Sequence, residues 1–170
     1  MERRSPICCW EKPPRGWMKL NIDGAMSHLS AAAGCGGLLR DCAGSWILGF
    51  CRSLCNCSAS SAEEWAVVYG LQLAWDLGFK KLILESDASE VINLILDSSC
   101  TSCSNLVLKV RELLIFNWQV DIKVISREFN RVADALAKKG IACSTIFDEC
   151  PNFLRNWVDS ECLGFVSPSM

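Results

Sequence analysis

The sequence has almost no histidine: His28 is the only one among 170 residues. Its twelve cysteines include a single CxxC pair, at positions 100 and 103, whereas structural zinc sites usually combine two such pairs or add histidines. A zinc site is therefore only a minor alternative, and we expect most of the cysteines to pack as small apolar side chains.

The sequence also lacks a long uninterrupted apolar run. The stretch 106–125, for example, is interrupted by Lys109, Arg111, Glu112, Asp121 and Lys123. Such stretches cannot span a bilayer, and the first six residues lead into no apolar signal core. We therefore expect a soluble, intracellular protein with reduced thiols and no membrane partner, while the choice between nucleus and cytoplasm stays open.

Positive charge is not in excess. Seventeen basic and nineteen acidic residues give a formal net charge of −2, so the protein has no global basic field. Any nucleic-acid partner must then be held by a local patch. This composition disfavours tight, processive binding.

The length suits one domain with a sizeable core. Residues 1–16 contain three prolines and predict an extended lead-in. Residues 17–140 carry the regular patterns and are expected to form the domain. After Gly140 the pattern is too irregular to say whether the tail, residues 141–170, packs onto it.

Apolar periodicity in residues 17–140 predicts an ordered series of elements. Alternation over 18–23 predicts a strand that closes at Asp23, and two runs around the turn at 41–44 predict a hairpin. The period then changes and predicts helix 62–78, strand 81–85, helix 86–96, helix 105–116, strand 120–126 and helix 131–140, with a glycine ending the first and last of these helices. Three meandering strands followed by alternation imply a mixed sheet with helices against it.

Four acidic residues in four separate segments form the candidate site: Asp23, Glu63, Asp87 and Asp134. Carboxylates that converge repel one another, so a pocket that gathers them needs cations, and hard oxygen ligands select magnesium or manganese. Two such ions are the standard apparatus for cleaving a phosphodiester. The set therefore predicts a metal-dependent nuclease.

Glu63 has the strongest support from periodicity alone. At about 100° per residue, it projects from the apolar stripe of its helix, which comprises Val67, Gly70, Leu71, Ala74 and Leu77. Its neighbour Glu64 falls toward the edge, where water could solvate it. The alternative for Glu63 is a partly exposed glutamate at the start of a helix.

The three aspartates have plainer alternatives. Asp23 and Asp87 lie at predicted strand ends, where open α/β sheets collect ligands, but each could instead serve a turn or a helix cap, with Ser86 or Ser89 as rivals of Asp87. Asp134 could simply pair with Lys138 at i+4 or with Arg131 at i−3.

Five motifs in order resemble the ribonuclease H family, and specifically the ribonuclease H-like domain of plant non-LTR retroelements and the genes derived from them. They are DGA at 23–25, GGLLRD at 36–41, AEEWA at 62–66 with GLQLA at 70–74, ESD at 85–87 and REFNRVAD at 127–134. The resemblance covers residues 17–140.

The resemblance implies an α/β ribonuclease H-like fold. Its mixed sheet would have five strands, with the first and fourth adjacent and helices on both faces. It further implies that Asp23, Glu63, Asp87 and Asp134 hold two Mg²⁺ or Mn²⁺ ions. The reaction would be endonucleolytic hydrolysis of the RNA strand of an RNA–DNA hybrid, leaving a 5′-phosphate. For recognition of 2′-hydroxyls we expect the backbone at Gly24 and the side chains of Ser58, Ser60 and Ser61.

Two departures from the family pattern reduce the expected activity. Relatives often carry a histidine where this chain has Val124, and the basic protrusion of cellular enzymes is replaced by small polar residues at 97–104. We therefore expect slow turnover and weak hybrid binding by a monomer. One alternative is a domesticated domain that binds nucleic acid or protein without cleaving, and another is a detached piece of a retroelement polyprotein.

Overall fold

The computed structural model describes residues 9–164. Residues 1–8 of the expected lead-in and 165–170 of the tail lie outside the described residues. Within them the strands are β1 Met18–Met26, β2 Ala33–Arg40, β3 Trp46–Leu54, β4 Lys81–Ser86, β5 Gln119–Val124 and β6 Thr145–Phe147. The helices are α1 Ala59–Asp76, α2 Ser89–Leu96, α3 Asn105–Leu114, α4 Arg131–Gly140 and α5 Asn152–Cys162, with a short 3-10 helix at Arg127–Phe129.

One mixed sheet has the order β5-β4-β1-β2-β3-β6. Strands β1, β2 and β3 are antiparallel neighbours, while β4 runs parallel to both β1 and β5. The first and fourth strands are adjacent, as expected. The expected count of five strands is corrected to six, because β6 in the tail pairs antiparallel with β3. Three residues are too few to show a periodic pattern.

Strand β1 is longer than predicted. It does not close at Asp23 but continues to Met26, because Gly24 and Ala25 pair with Cys35 and Gly34 of β2. Asp23 therefore lies inside a strand. Its parallel pairing with β4 ends at the pair Asn21–Glu85, two residues before Asp23. Next to that end, the carbonyl of Ile22 accepts a hydrogen bond from the side chain of Asn130.

Helices cover both faces of the sheet. Neighbouring strand residues point to opposite faces, and in β2 Leu39 belongs to a core with α1, α2 and α3, whereas Leu38 belongs to a core with α4 and α5. Leu136 of α4 and Leu154 of α5 are fully buried in the second core. The described part of the tail, 141–164, thus packs onto the domain, which the sequence left open.

The two glycines expected at helix ends have different roles. Gly78 follows α1 with a φ of 83°, a left-handed conformation that favours glycine. Gly140, the last residue of α4, has no positive φ. A Cβ on Gly140 would lie 2.7 Å from the backbone oxygen of Cys35. Gly140 is therefore required for close packing of α4 on β2.

The described part of the lead-in, residues 9–16, forms no helix or strand, yet Trp10 is only 4% exposed. Its indole N–H donates a hydrogen bond to Asn21 of β1. Among residues 9–164, no helix is both long and apolar enough to cross a membrane.

Candidate active site

The four predicted carboxylates come from four elements. Asp23 lies in the middle of β1, Glu63 in the second turn of α1, Asp87 directly after β4 and Asp134 in the first turn of α4. The parallel pairing of β1 with β4 brings the segments of Asp23 and Asp87 to the same end of the sheet. Asp23 is close enough to the other three carboxylates for each of their charges to raise its pKa. The other three carboxylates therefore lie within electrostatic range of Asp23.

Asp23 and Glu63 form the tightest pair of the set. A hydrogen bond joins their carboxyl groups, and the backbone N–H of Gly24 donates to Glu63 Oε2 at 2.9 Å and to Asp23 Oδ1 at 3.0 Å. A Cβ on Gly24 would meet the backbone of Ala62 at 2.6 Å. Only glycine lets β1 and α1 approach closely enough for this pairing.

Asp23 is buried and Glu63 is half-buried beside it, and this burial affects the protonation of both groups. Burial, together with the charges of Glu63 and Asp87, raises the pKa of Asp23 to about 10. Burial also raises the pKa of Glu63 to about 7, although the hydrogen bond from Asp23 acts in the opposite direction. Without a cation, the site is therefore stabilised by a proton on Asp23 that is donated to Glu63.

Asp87 is held by a side-chain amide. Asn130 Nδ2 donates to Asp87 Oδ1 at 3.1 Å and to the backbone oxygen of Ile22 at 2.9 Å. The helix-cap alternative does not describe this carboxylate, because the N-cap position of α2 is Ala88, with no side-chain cap. It is Ser86 whose hydroxyl accepts from the N–H of Ala88.

Asp134 pairs with Lys138, one of the two surface partners that the sequence spacing suggested. Lys138 Nζ lies 2.8 Å from Asp134 Oδ2, and the lysine is mostly exposed. The other proposed partner, Arg131, instead pairs with Glu161 of α5. Asp134 nevertheless contributes to the raised pKa of both Asp23 and Glu63, so it lies near the pair as well as beside Lys138.

Within residues 9–164, no three histidine, cysteine or acidic side chains stand together as a ready-made metal site. Each of these carboxylates has another partner, since Asp87 accepts from Asn130, Asp134 pairs with Lys138, and Asp23 shares a proton with Glu63. The donor chemistry still fits a hard divalent cation, because all four groups offer carboxylate oxygen. A cation would have to displace the shared proton.

The prediction for Glu64 is wrong. Its side chain is not solvated at the edge of the helix but only 7% exposed, and Ser104 Oγ donates to its Oε2 at 2.7 Å. Ser104 is also the N-cap of α3, so α3 covers this side of α1. Periodicity within one helix does not reveal a second helix that packs against its flank.

The proposed contacts to substrate lie around the start of α1. This helix begins at Ala59, three residues earlier than predicted, because Ser58 caps it: Ser58 Oγ accepts from the N–H of Ser61 and donates to its hydroxyl. Ser60 is exposed. The N–H of Gly24 is engaged by the two carboxylates.

The remaining candidates are apart from this site. His28 is exposed in the turn after β1, and Val124 is half exposed as the last residue of β5. Cys103 accepts a hydrogen bond from Arg111, while Cys100 donates to the carbonyl of Ser102. Among the described residues this CxxC pair belongs to no metal-binding group.

Asn130 is the functional neighbour that sequence reasoning missed. It lies inside the motif REFNRVAD at 127–134, which was used only for its aspartate. It lies at the start of α4, four residues before Asp134, whose backbone N–H donates to the Asn130 carbonyl. Sequence spacing could not show that the Asn130 side chain donates to Asp87, which lies in another segment.

Known families and proteins resemble this chain over most of its length. The family model described as reverse transcriptase-like matches residues 21–140. An Arabidopsis thaliana protein named as a ribonuclease H protein is 35% identical over 164 residues, which are 94% of this chain and 26% of that protein. The chain thus spans about a quarter of that relative's length.

Solved structures show the same architecture. The crystal structure of RNase H1 from the archaeon Halobacterium salinarum is 25% identical with a TM-score of 0.67, covering 74% of this chain and 97% of that one. LC11-RNase H1, solved in complex with an RNA/DNA hybrid, is 16% identical with a TM-score of 0.65, covering 73% and 96%. The chain therefore belongs to the reverse transcriptase-like family, with the ribonuclease H fold.

Proposed function

We propose that this chain is a divalent-metal-dependent endonuclease that hydrolyses the RNA strand of RNA–DNA hybrids. One observation carries the proposal: Asp23 is buried, Glu63 is half-buried beside it, and both carboxyl groups feel the charges of Asp87 and Asp134. A fold gains nothing in stability by gathering such charges. The names of the relatives and the hybrid bound by a similar structure support the choice of substrate.

Asp23, Glu63, Asp87 and Asp134 would hold two Mg²⁺ or Mn²⁺ ions. When bound, such ions supply an activated water and stabilise the leaving oxygen of the phosphodiester. The residues of the chain supply the rest. The Gly24 N–H keeps Glu63 against Asp23, Asn130 orients Asp87, and the pair must release its shared proton before a cation can enter.

Recognition of RNA would fall to groups beside the pair. We assign 2′-hydroxyl contacts to the backbone at Gly24 and to Ser58, Ser60 and Ser61, since this hydroxyl distinguishes the two backbones. Ser60 is exposed, whereas Ser58 and Ser61 hydrogen-bond each other in the cap. With a net charge of −2, we expect a monomer that binds hybrid weakly.

A gel assay tests the proposal. The purified protein is incubated with millimolar magnesium or manganese and a labelled RNA–DNA hybrid, duplex RNA, single-stranded RNA or duplex DNA, with Asp23→Asn as control. Cleavage of the hybrid alone, ending in 5′-phosphates and absent in the variant, is the expected result. No cleavage with either metal, or equal cleavage of duplex DNA, would contradict it.

A second candidate function is binding without cleavage. Val124 favours it, because the family resemblance implies a histidine at this position and this chain has a half-exposed valine there, at the end of β5. A hybrid that is retained in a mobility-shift gel but stays intact with both metals would support this alternative.

A further inference from the structure

A chain of buried hydrogen bonds leads from the lead-in to the candidate site. The indole N–H of Trp10 donates to Asn21 Oδ1 at 3.0 Å, and Arg40 Nη2 donates to the same oxygen at 3.1 Å. All three side chains are almost completely buried. Water is therefore not available as an alternative partner, and each donor needs its acceptor.

These two donors determine how the Asn21 amide is oriented. A side-chain amide has an acceptor end and a donor end, so an oxygen that faces Trp10 and Arg40 leaves Nδ2 facing the other way. There it donates to Asn130 Oδ1 at 3.3 Å and to Glu85 Oε1 at 3.1 Å. Reversing the amide would set Nδ2 against two donors and Oδ1 against two oxygens.

The orientation of the Asn21 amide in turn constrains the orientation of the Asn130 amide. Because Asn130 Oδ1 accepts from Asn21, its Nδ2 is directed to Asp87 Oδ1 and to the carbonyl of Ile22. A reversed Asn130 amide would present oxygen to the Asp87 carboxylate. The N–H groups of Trp10 and Arg40 thus act together with the Glu85 carboxylate and the Ile22 carbonyl to set the direction of the two amides, the second of which donates to Asp87.

Arg40 is itself held by the tail. Its guanidinium stacks on the Trp10 ring at 3.5 Å, and Nη1 lies 2.6 Å from Glu161 Oε2 of α5. Trp10 and Glu161 both lie outside residues 21–140, the segment that the family model matches. Residues beyond the matched domain therefore contact the network that reaches Asp87.

We propose that Trp10, Asn21 and Asn130 are positioning residues that form an amide relay and fix the Asp87 carboxylate for metal binding. The part concerning metal rests on the proposed function. Loss of a direct partner of a metal ligand typically costs about 10- to 100-fold in metal affinity or activity. For Trp10, which acts through two amides, we expect a smaller loss of roughly 3- to 10-fold.

Trp10→Phe tests the relay, because phenylalanine keeps an aromatic ring over Arg40 but lacks the N–H. Trp118→Phe is the matched control: it removes an indole N–H that donates to the carbonyl of Leu113 at 2.8 Å, outside the relay. The first readout is the side-chain ¹⁵N–¹H resonance of Asn130 in the metal-free protein. The second is kcat, KM and the magnesium concentration that gives half-maximal cleavage.

Trp10→Phe should shift the Asn130 amide resonance, lower kcat and raise the magnesium requirement, with KM for the hybrid unchanged. Trp118→Phe should leave all four as in the wild type. An unmoved Asn130 resonance in Trp10→Phe overturns the relay, and so do identical kinetics of the two variants. If the wild type does not cleave, the proposed function fails, and the resonance alone still decides on the relay. If Trp10→Phe does not fold, Glu161→Gln replaces it as the test. This variant weakens the ion pair that holds Arg40, the other donor to Asn21, and the same four quantities are measured.

Discussion

The backbone N–H of Gly24 donates to Glu63 Oε2 at 2.9 Å and so ties the middle of β1 to the second turn of α1. This contact selects one of two neighbouring glutamates. Glu63 faces Asp23, whereas Glu64 faces α3 and accepts from Ser104. The two side chains are adjacent in sequence and have separate roles.

Glu63→Gln is therefore expected to abolish hybrid cleavage, because the amide cannot supply a charged oxygen to a cation. Glu64→Gln should keep most of the activity and lose about 1 kcal/mol of stability, since a buried hydrogen bond to a charged group becomes one to a neutral group. Cleavage rates and urea unfolding of both variants measure this. The reverse pattern of activity would show that Glu64 is the ligand.

The raised pKa values of Asp23 and Glu63 predict how the metal-free protein responds to pH. Their native values are about 10 and about 7, against 3.8 and 4.5 for the unperturbed groups. The native state therefore binds more protons than the unfolded state, and stability falls as pH rises from about 4 toward 9. Each titrating group contributes up to about 1.4 kcal/mol per pH unit.

Urea unfolding in EDTA at several pH values checks this. The wild type should lose stability across the window, and Asp23→Asn should give a flatter profile because the asparagine binds no proton in either state. A wild-type profile that rises with pH over the same window would mean that the pair is not buried together.

Lys138 competes with any cation for Asp134. The pair is 2.8 Å long, but its lysine is exposed, and surface ion pairs contribute about 0.2 to 1 kcal/mol. Lys138→Ala should then lower the magnesium concentration for half-maximal cleavage by roughly 1.5- to 5-fold. Lys139→Ala, which removes the same charge next to it, is the control and should leave that concentration close to the wild-type value. An equal decrease of this concentration in both variants would show that it responds to a general loss of positive charge and not to loss of the Asp134–Lys138 pair.

The tail should contribute to stability as part of the domain. Leu154 of α5 is fully buried against α4, whereas its larger neighbour Phe153 is 52% exposed. Leu154→Ala should cost about 2 to 5 kcal/mol, and Phe153→Ala about 0.5 kcal/mol or less. Similarly small losses of unfolding free energy for the two variants, measured by urea unfolding, would show that α5 does not pack on the domain in solution.

The sequence predicted those parts of the fold that depend on the apolar pattern within a single helix or strand. Helix α4 has its predicted bounds, and the stripe that carries Glu63 faces the sheet, because an apolar period reports directly on the buried side of a helix. Asp23 was placed at a strand end because Gly24 resembles a turn residue, whereas pairing with β2 extends the strand.

What the sequence could not show depends on contacts between distant segments. The burial of Glu64 requires Ser104, and the role of Asn130 requires Asp87, 43 residues away. Trp10 lies in a proline-containing segment that suggests no packing, and its indole finds a partner only because Arg40 and Asn21 are buried beside it.

We propose that Asp23 acts with the other carboxylates as one cation-binding unit. At close range, repulsion between two carboxylates costs on the order of 1 to 4 kcal/mol per pair, depending on how far water screens the charges. If the metal-free protein instead binds a proton at the site, the repulsion is avoided, but binding that proton also costs free energy. Asp23→Asn removes that cost. Asp41 is a matched structural aspartate, whose Oδ1 accepts from the N–H groups of Ala43 and Ser45 in a turn.

Thermal melts of the wild type, Asp23→Asn and Asp41→Asn at about pH 8, with EDTA and with millimolar manganese, test this claim without a substrate. We predict that Asp23→Asn melts above the wild type in EDTA and gains less from manganese, while Asp41→Asn melts at or below the wild type and keeps the full manganese response. An Asp23→Asn variant that melts below the wild type in EDTA and responds equally to manganese would contradict the carboxylate cluster.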